Sequence, residues 1–111
     1  MSTLFQKIIN NEVPSEKVFE NERFIVIKDI APKAPVHLLI IPKQVFKSFQ
    51  EIDHQNLPIL AEVGEIAQEM ARKFQVEQGY RLLTNVGSDA GQTIFHLHFH
   101  LIGGKPLKDM A

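Results

Sequence analysis

Apolar residues recur along this chain with two different periods, and the change of period marks where helices give way to strands. Leu4, Phe5, Ile8 and Ile9 fall on one side of a short helix, which Asn10, Asn11 and Pro14 bring to an end. Val18 to Glu20 and Arg23 to Asp29 are short runs separated by the polar pair Asn21 and Glu22, and they predict a hairpin. The segment Ala31-Pro32-Lys33-Ala34-Pro35 predicts a crossing loop, because proline lacks a donor and restricts the residue before it. Val36 to Ile41 is an almost unbroken apolar run stopped by Pro42, the signature of a central strand buried on both faces. Only His37 interrupts it.

From Asp53, a suitable N-cap, to about Gln75, the spacing of Leu60, Val63, Ala67, Met70, Ala71 and Phe74 follows one face of a long helix. Pro58 falls near its first turn, where a missing N–H costs little. Gly79 is expected to end that helix, and Tyr80 to Val86 reads as a strand. Small residues from Gly87 to Thr93 predict a loop, Phe95 to Ile102 a last strand, and Gly103 and Gly104 its end. The expected class is α+β: about five mainly antiparallel strands, one long helix and short helical pieces. Nothing divides residues 1–111, so one domain is expected.

Composition narrows the functional classes. With 44% hydrophobic and 23% charged residues the chain is that of an ordinary folded protein. A domain of this size leaves roughly a third of its unfolded-chain surface exposed, so a subunit interface is a natural source of further burial. A net charge of −1 gives no general attraction to nucleic acid or to an anionic membrane, and any anion must be held locally. Without cysteine there is no disulfide, thiolate zinc site or thiol nucleophile, which suits a reducing cytoplasm. The N-terminus lacks the charged-then-apolar order of a signal peptide, and no apolar run approaches the ~18 residues of a membrane span. The expected location is cytoplasmic.

The chemistry concentrates near the C-terminus. Three of the five histidines, His96, His98 and His100, alternate with Leu97, Phe99 and Leu101. In a strand that spacing puts all three imidazoles on one face, roughly 7 Å apart, with the apolar partners directed into the core. A neutral imidazole is a good nucleophile near pH 7 and can attack phosphorus, provided an acceptor, such as a backbone carbonyl, holds the proton on its other nitrogen. The middle ring, His98, is placed to attack while its neighbours position charge. The preceding loop, Asn85 to Thr93, offers backbone N–H groups, the Asn85 amide and the Thr93 hydroxyl to phosphate oxygens.

Other readings stand beside this one. Alternating histidines on a strand also hold zinc, which predicts a bound ion and chelator sensitivity, whereas a nucleophilic histidine predicts a covalent nucleotidyl adduct without metal. His37 taken alone is a core histidine; if its strand pairs with the last one, it can support the triad. Asp29 is a turn former or a ribose ligand, with Ile30, Phe5, Ile8 or Phe24 available to flank a base. His54, Lys43, Lys47, Lys105 and Lys108 read as solvated, with Lys105 closest to the triad strand.

The motif His96-x-His98-x-His100-Leu101-Ile102 resembles that of the histidine-triad (HIT) family. The likeness extends over Phe5-x-Lys7-Ile8-Ile9, Asp29-Ile30-Ala31-Pro32-x-Ala34-Pro35-x-His37, Ile41-Pro42-Lys43, Gly79-Tyr80-Arg81, Asn85, Gly91-Gln92 and Gly103-Gly104, almost the whole chain. It is similar in particular to the HINT branch, the purine nucleoside phosphoramidases, in a short bacterial form. That resemblance implies a homodimer whose sheets join into one, binding of AMP or GMP, and hydrolysis of the P–N bond of nucleoside phosphoramidates with no cofactor and no obligatory metal. It implies that His98 becomes nucleotidylated, that His100 contacts phosphate and helps the leaving group, and that His37 with His96 orders the nucleophile. Asp29 matches the ribose ligand, Ile30 a base contact, and Asn85, Gly91, Gln92 and Thr93 the phosphate loop. Thr93 stands where many members carry Ser, and the tail from Lys105 to Ala111 lacks the Trp of the animal branch, which bears on the leaving group. The same triad would also serve a dinucleoside polyphosphate hydrolase, a nucleotide phosphorylase or a nucleotide-responsive binding protein.

Overall fold

The computed structural model describes residues 2–109, so Met1 and the last two residues of the tail, Met110 and Ala111, lie outside the described residues. Helix α1 spans Leu4–Ile9, capped by Thr3, whose side chain and that of Gln6 satisfy each other's backbone N–H groups. Strands β1 (Lys17–Glu20) and β2 (Phe24–Lys28) form the expected hairpin, and β3 (Val36–Pro42) follows the proline-rich crossing. Helix α2 spans Ile59–Lys73, then come β4 (Tyr80–Leu83) and β5 (Phe99–Gly103). All neighbours are antiparallel in the order β1-β2-β3-β5-β4, so β3 is central and β5 lies beside it.

Strand alternation divides the core between the two faces of this sheet. Phe24 and Val26, Leu38 and Ile40, and Phe99 and Leu101 pack with Val63, Ile66, Ala67, Met70 and Ala71 of α2. Ile25 and Ile27 and Leu39 and Ile41 face the other way, against Phe5 and Ile8 of α1. A short helix cannot cover that second face, and the uncovered part becomes the site.

Element bounds depart from the sequence reading by one residue at several strand ends and by more at both ends of the long helix, the end of β4 and the start of β5. The long helix starts at Ile59, not Asp53: Asp53 caps a separate 3-10 turn, His54–Asn56, and Pro58, with no N–H to give to an earlier turn, marks a new helical start. The helix ends at Lys73, before the expected Gly79, where Gln75 turns the chain with φ 59°. Strand β4 stops at Leu83 instead of Val86, and β5 begins at Phe99 instead of Phe95. Both ladders end together, since the last β4 pairing is Leu83 with His100 and the last β3 pairing is Ile40 with Phe99. No described helix is long and apolar enough to cross a membrane.

Candidate functional site

Parity places the histidines. His100 lies opposite Leu39 of β3, and Leu39 belongs to the α1 face, so His100 faces that side while Leu101 enters the α2 core. His37 lies opposite Ile102, which makes it the diagonal neighbour of His100 on the same face. His96 and His98 precede the regular strand yet keep the alternation: Phe5 of α1 meets both rings edge-on, at 6.2 and 4.9 Å. The rings of His98 and His100 are 5.1 Å apart, closer than the spacing expected of an ideal strand, because His98 lies outside the ladder and leans toward its neighbour.

The hydrogen bonds determine where the ring protons sit, since backbone groups have no choice of role. The carbonyl of His96 can only accept, so His98 donates through Nδ1–H at 2.7 Å and its Nε2 carries a free lone pair. The carbonyl of Pro42 accepts from Nε2–H of His96 at 2.7 Å, leaving a buried Nδ1 with no partner among the described residues. The N–H of Lys33 can only donate, so Nδ1 of His37 accepts at 3.0 Å and its proton sits on Nε2. That Nε2–H donates to Nδ1 of His100 at 2.9 Å, which leaves the His100 proton on the outward Nε2. His37 therefore bonds to His100 and not to His98, and it is the backbone of His96, not its ring, that bonds His98. The rings of His37 and His96, which the resemblance set together behind His98, each make their bonds elsewhere.

Burial lowers the pKa of all four imidazoles from 6.5. For His98 it outweighs the carbonyl of His96 and the charge of Asp29; for His96 it outweighs the bond to Pro42; for His37 it outweighs Asp29. His100 is pushed furthest, to about 4, by burial and then by His98 and His37. Each shift favours the neutral ring.

A cavity of about 290 Å³ opens beside two of these rings, His98 and His100. Phe5, Ile8, Ile27, Leu39 and Ile94 supply apolar walls, and His98, His100, Asp29, Thr93 and Ile30 also border it. Asp29 makes the turn contact, Oδ1 accepting from the N–H of Ala31 at 2.8 Å, and its carboxylate also borders the cavity, with Oδ2 3.4 Å from Nε2 of His37. Ile30 is 95% exposed, unusual for so apolar a side chain. Phe24 cannot flank a ligand here, because its position in β2 puts it in the α2 core. A larger cleft of about 470 Å³, between Arg23, Gln55 and Glu65, contains no histidine.

The small-residue loop is organised differently from expectation. Gln92 is buried and braces it, with Oε1 accepting from Gly87 N–H and Nε2 donating to the carbonyls of Lys47 and Ile94. The N–H groups of Gly91 and Gln92 bond within the loop, and Nδ2 of Asn85 donates to Ala90. Gly87 and Gly91 take φ of 82° and 91°, which other residues rarely adopt. Of the loop residues proposed from sequence, Thr93 borders the cavity; Asn85, Gly91 and Gln92 shape the loop behind it.

Sequence reading missed five residues that contribute. Thr84 donates its hydroxyl to the His98 carbonyl at 2.7 Å, where the β4–β5 ladder has ended. Lys33 acts through its backbone N–H, and Val13, Pro14 and Ser15 line the cavity. Only the prolines around Lys33 hinted at any of this. Asp29, His37 and His100 bring three potential metal-ligand atoms within 4.8 Å of one another, so the donor cluster of a metal reading is this set and not the triad. Lys105 borders a separate depression with Gln75 and Gly79.

Residues 2–109 match the family model described as scavenger mRNA decapping enzyme C-term binding. The chain is 52% identical to a HIT-like protein of Chlamydia trachomatis over the full length of both, and 46% identical to one of Helicobacter pylori over 91% of this chain and 95% of that one. A solved HIT family hydrolase from Clostridium thermocellum superimposes with a TM-score of 0.93 at 47% identity, covering 98% of this chain and 96% of that one. A histidine triad nucleotide-binding protein from Candida albicans gives 0.81 at 29% identity, over 99% and 87%.

Proposed function

The chain belongs to the histidine-triad-like family, and from that premise we propose that it is a nucleotide-binding hydrolase that cleaves the P–N bond of purine nucleoside 5′-phosphoramidates through a nucleotidyl intermediate on His98. The observation that carries this reading is the bond from His98 Nδ1–H to the His96 carbonyl, which leaves a free lone pair on Nε2 of a neutral ring beside the cavity. Nε2 attacks the α-phosphorus in line, forming the P–Nε2 bond as the P–N bond breaks, and the nitrogen leaves as an amine with a proton taken from solvent. The Nδ1–H bond steadies the positive charge that develops on His98. The outward Nε2–H of His100 meets the charge on the phosphoryl oxygens, with Thr93 as a further donor. Water then attacks phosphorus, the P–Nε2 electron pair returns to His98, and the water's proton goes to solvent.

The remaining contacts follow from the walls of the cavity. The carboxylate of Asp29 is suited to accept from ribose hydroxyls, and Ile30, Phe5 and Ile8 to flank a purine such as that of AMP or GMP. A volume of about 290 Å³ is small among ligand sites and favours one nucleotide over a dinucleoside polyphosphate. The homodimer is supported by β4, an edge strand with a free ladder, and by the exposed apolar side chains Leu82 and Val86 at that edge.

The test is mass spectrometry of the protein quenched during turnover of an adenosine 5′-phosphoramidate. An adduct of the mass of an AMP group on His98 is expected. No adduct, together with full turnover by His98→Asn, would remove the mechanism.

A further inference from the structure

Three donor atoms meet beside the triad. Oδ2 of Asp29 is 3.4 Å from Nε2 of His37, which is 2.9 Å from Nδ1 of His100. Ligand atoms around tetrahedral zinc, with bonds of about 2.0–2.1 Å, stand about 3.3 Å apart, so both the spacing and the donor types suit such an ion. What opposes it is the position of one proton.

A neutral imidazole binds metal through the nitrogen that has no proton. His37 would have to offer a bare Nε2 and move its proton to Nδ1. Nδ1, however, is 3.0 Å from the N–H of Lys33, and His37 is 5% exposed. Two N–H groups would then face each other in a buried place, each without an acceptor. The Lys33 amide is itself held: Asp29 N–H bonds to the carbonyl of His37 at 2.9 Å and closes the loop, Asp29 Oδ1 takes the N–H of Ala31, and Pro32 and Pro35 stiffen the chain on either side.

We propose that the backbone N–H of Lys33 is a positioning group that keeps transition-metal ions off the Asp29, His37 and His100 corner and, through His37, directs the proton of His100 outward. Only the second half rests on the function proposed above, since the outward proton is what substrate would meet. An unprotected corner would bind zinc across the cavity mouth and compete with nucleotide.

The test deletes the N–H in two ways: Lys33→Pro, and an ester analogue in which oxygen replaces the backbone nitrogen of Lys33. Zinc chloride is titrated calorimetrically into the wild-type protein and both forms, and ¹⁵N spectra of labelled histidine report the tautomers. The wild type is expected to show His37 protonated on Nε2, and both altered forms to bind zinc at least tenfold more tightly, the scale of effect that contacts behind a metal ligand exert. Adding Asp29→Ala to either form should abolish the gain. Equal zinc affinity in the wild type and a folded altered form, or a His37 Nδ1–H in the wild type, overturns the proposal. If the proline variant does not fold, the ester form and the wild-type spectrum decide it. Neither readout needs turnover, so loss of the zinc effect with the His98 adduct intact sinks this inference alone, and the reverse outcome sinks only the proposed function.

Discussion

His98 owes its free Nε2 to a backbone atom two residues before it, and His100 owes its orientation to an amide reached through a second ring. Individual side chains are therefore separable in their effects. His98→Asn should lower turnover roughly 10³-fold or more while AMP affinity, measured by calorimetry, stays nearly unchanged, since a nucleophile acts on the transition state. His37→Ala should lower kcat more than it raises KM, because it disorders His100 without opening the ribose and base walls. Acid should act on the same groups. The pKa of His100 is about 4 in the folded chain against 6.5 as the ordinary value, so between those limits the unfolded chain takes up more protons and stability falls as pH falls. Urea midpoints should drop from pH 7 toward pH 4, and His100→Asn should drop less steeply; parallel slopes would remove this assignment.

At the scale of elements, the site lies where regular pairing stops. The β4–β5 ladder ends at Leu83 and His100, and one residue further along β4 the hydroxyl of Thr84 takes over by bonding the His98 carbonyl. Thr84→Val keeps the shape and removes that bond. It should destabilise the protein by about 1 kcal/mol, seen as a lower thermal midpoint, and reduce kcat with little change in KM. Gln92 does comparable work for the loop. Gln92→Ala leaves three backbone groups unpaired, and amide exchange of residues 87 to 94 should quicken before the rest of the chain opens.

Over the whole molecule the larger core lies on the α2 face of the sheet, while the histidines share the α1 face with a smaller one. Leu97, Phe99 and Leu101 enter the α2 core while His96, His98 and His100 look toward α1, which at six residues is too short to cover the sheet. The sheet has two edge strands, β1 and β4, and the exposed Leu82 lies on β4. Leu82→Arg at that edge should turn a dimer into a monomer in light scattering after size exclusion; a wild type already monomeric at high concentration would remove the dimer.

Most of the architecture was legible from hydrophobic periodicity alone. Alternation needs only the next residue but one, so the two-sided burial of β3, the face of α2 and the common direction of the three histidines all follow from local order. The polar pair Asn21 and Glu22 likewise announced the hairpin, and the prolines the crossing loop. Where strands ended could not be read this way, because a ladder stops where its partner stops, and partners are distant in sequence. For the same reason the assignment of Phe24 to a ligand wall failed: both faces of β2 are apolar, and only packing against α1 or α2 distinguishes them. The ring protons were furthest from view. Each is set by a backbone group, Lys33 N–H or the carbonyls of His96 and Pro42, and backbone groups are the same in every residue. Residue identity thus brought the imidazoles to one surface, while the tertiary fold decided which nitrogen of each carries the proton.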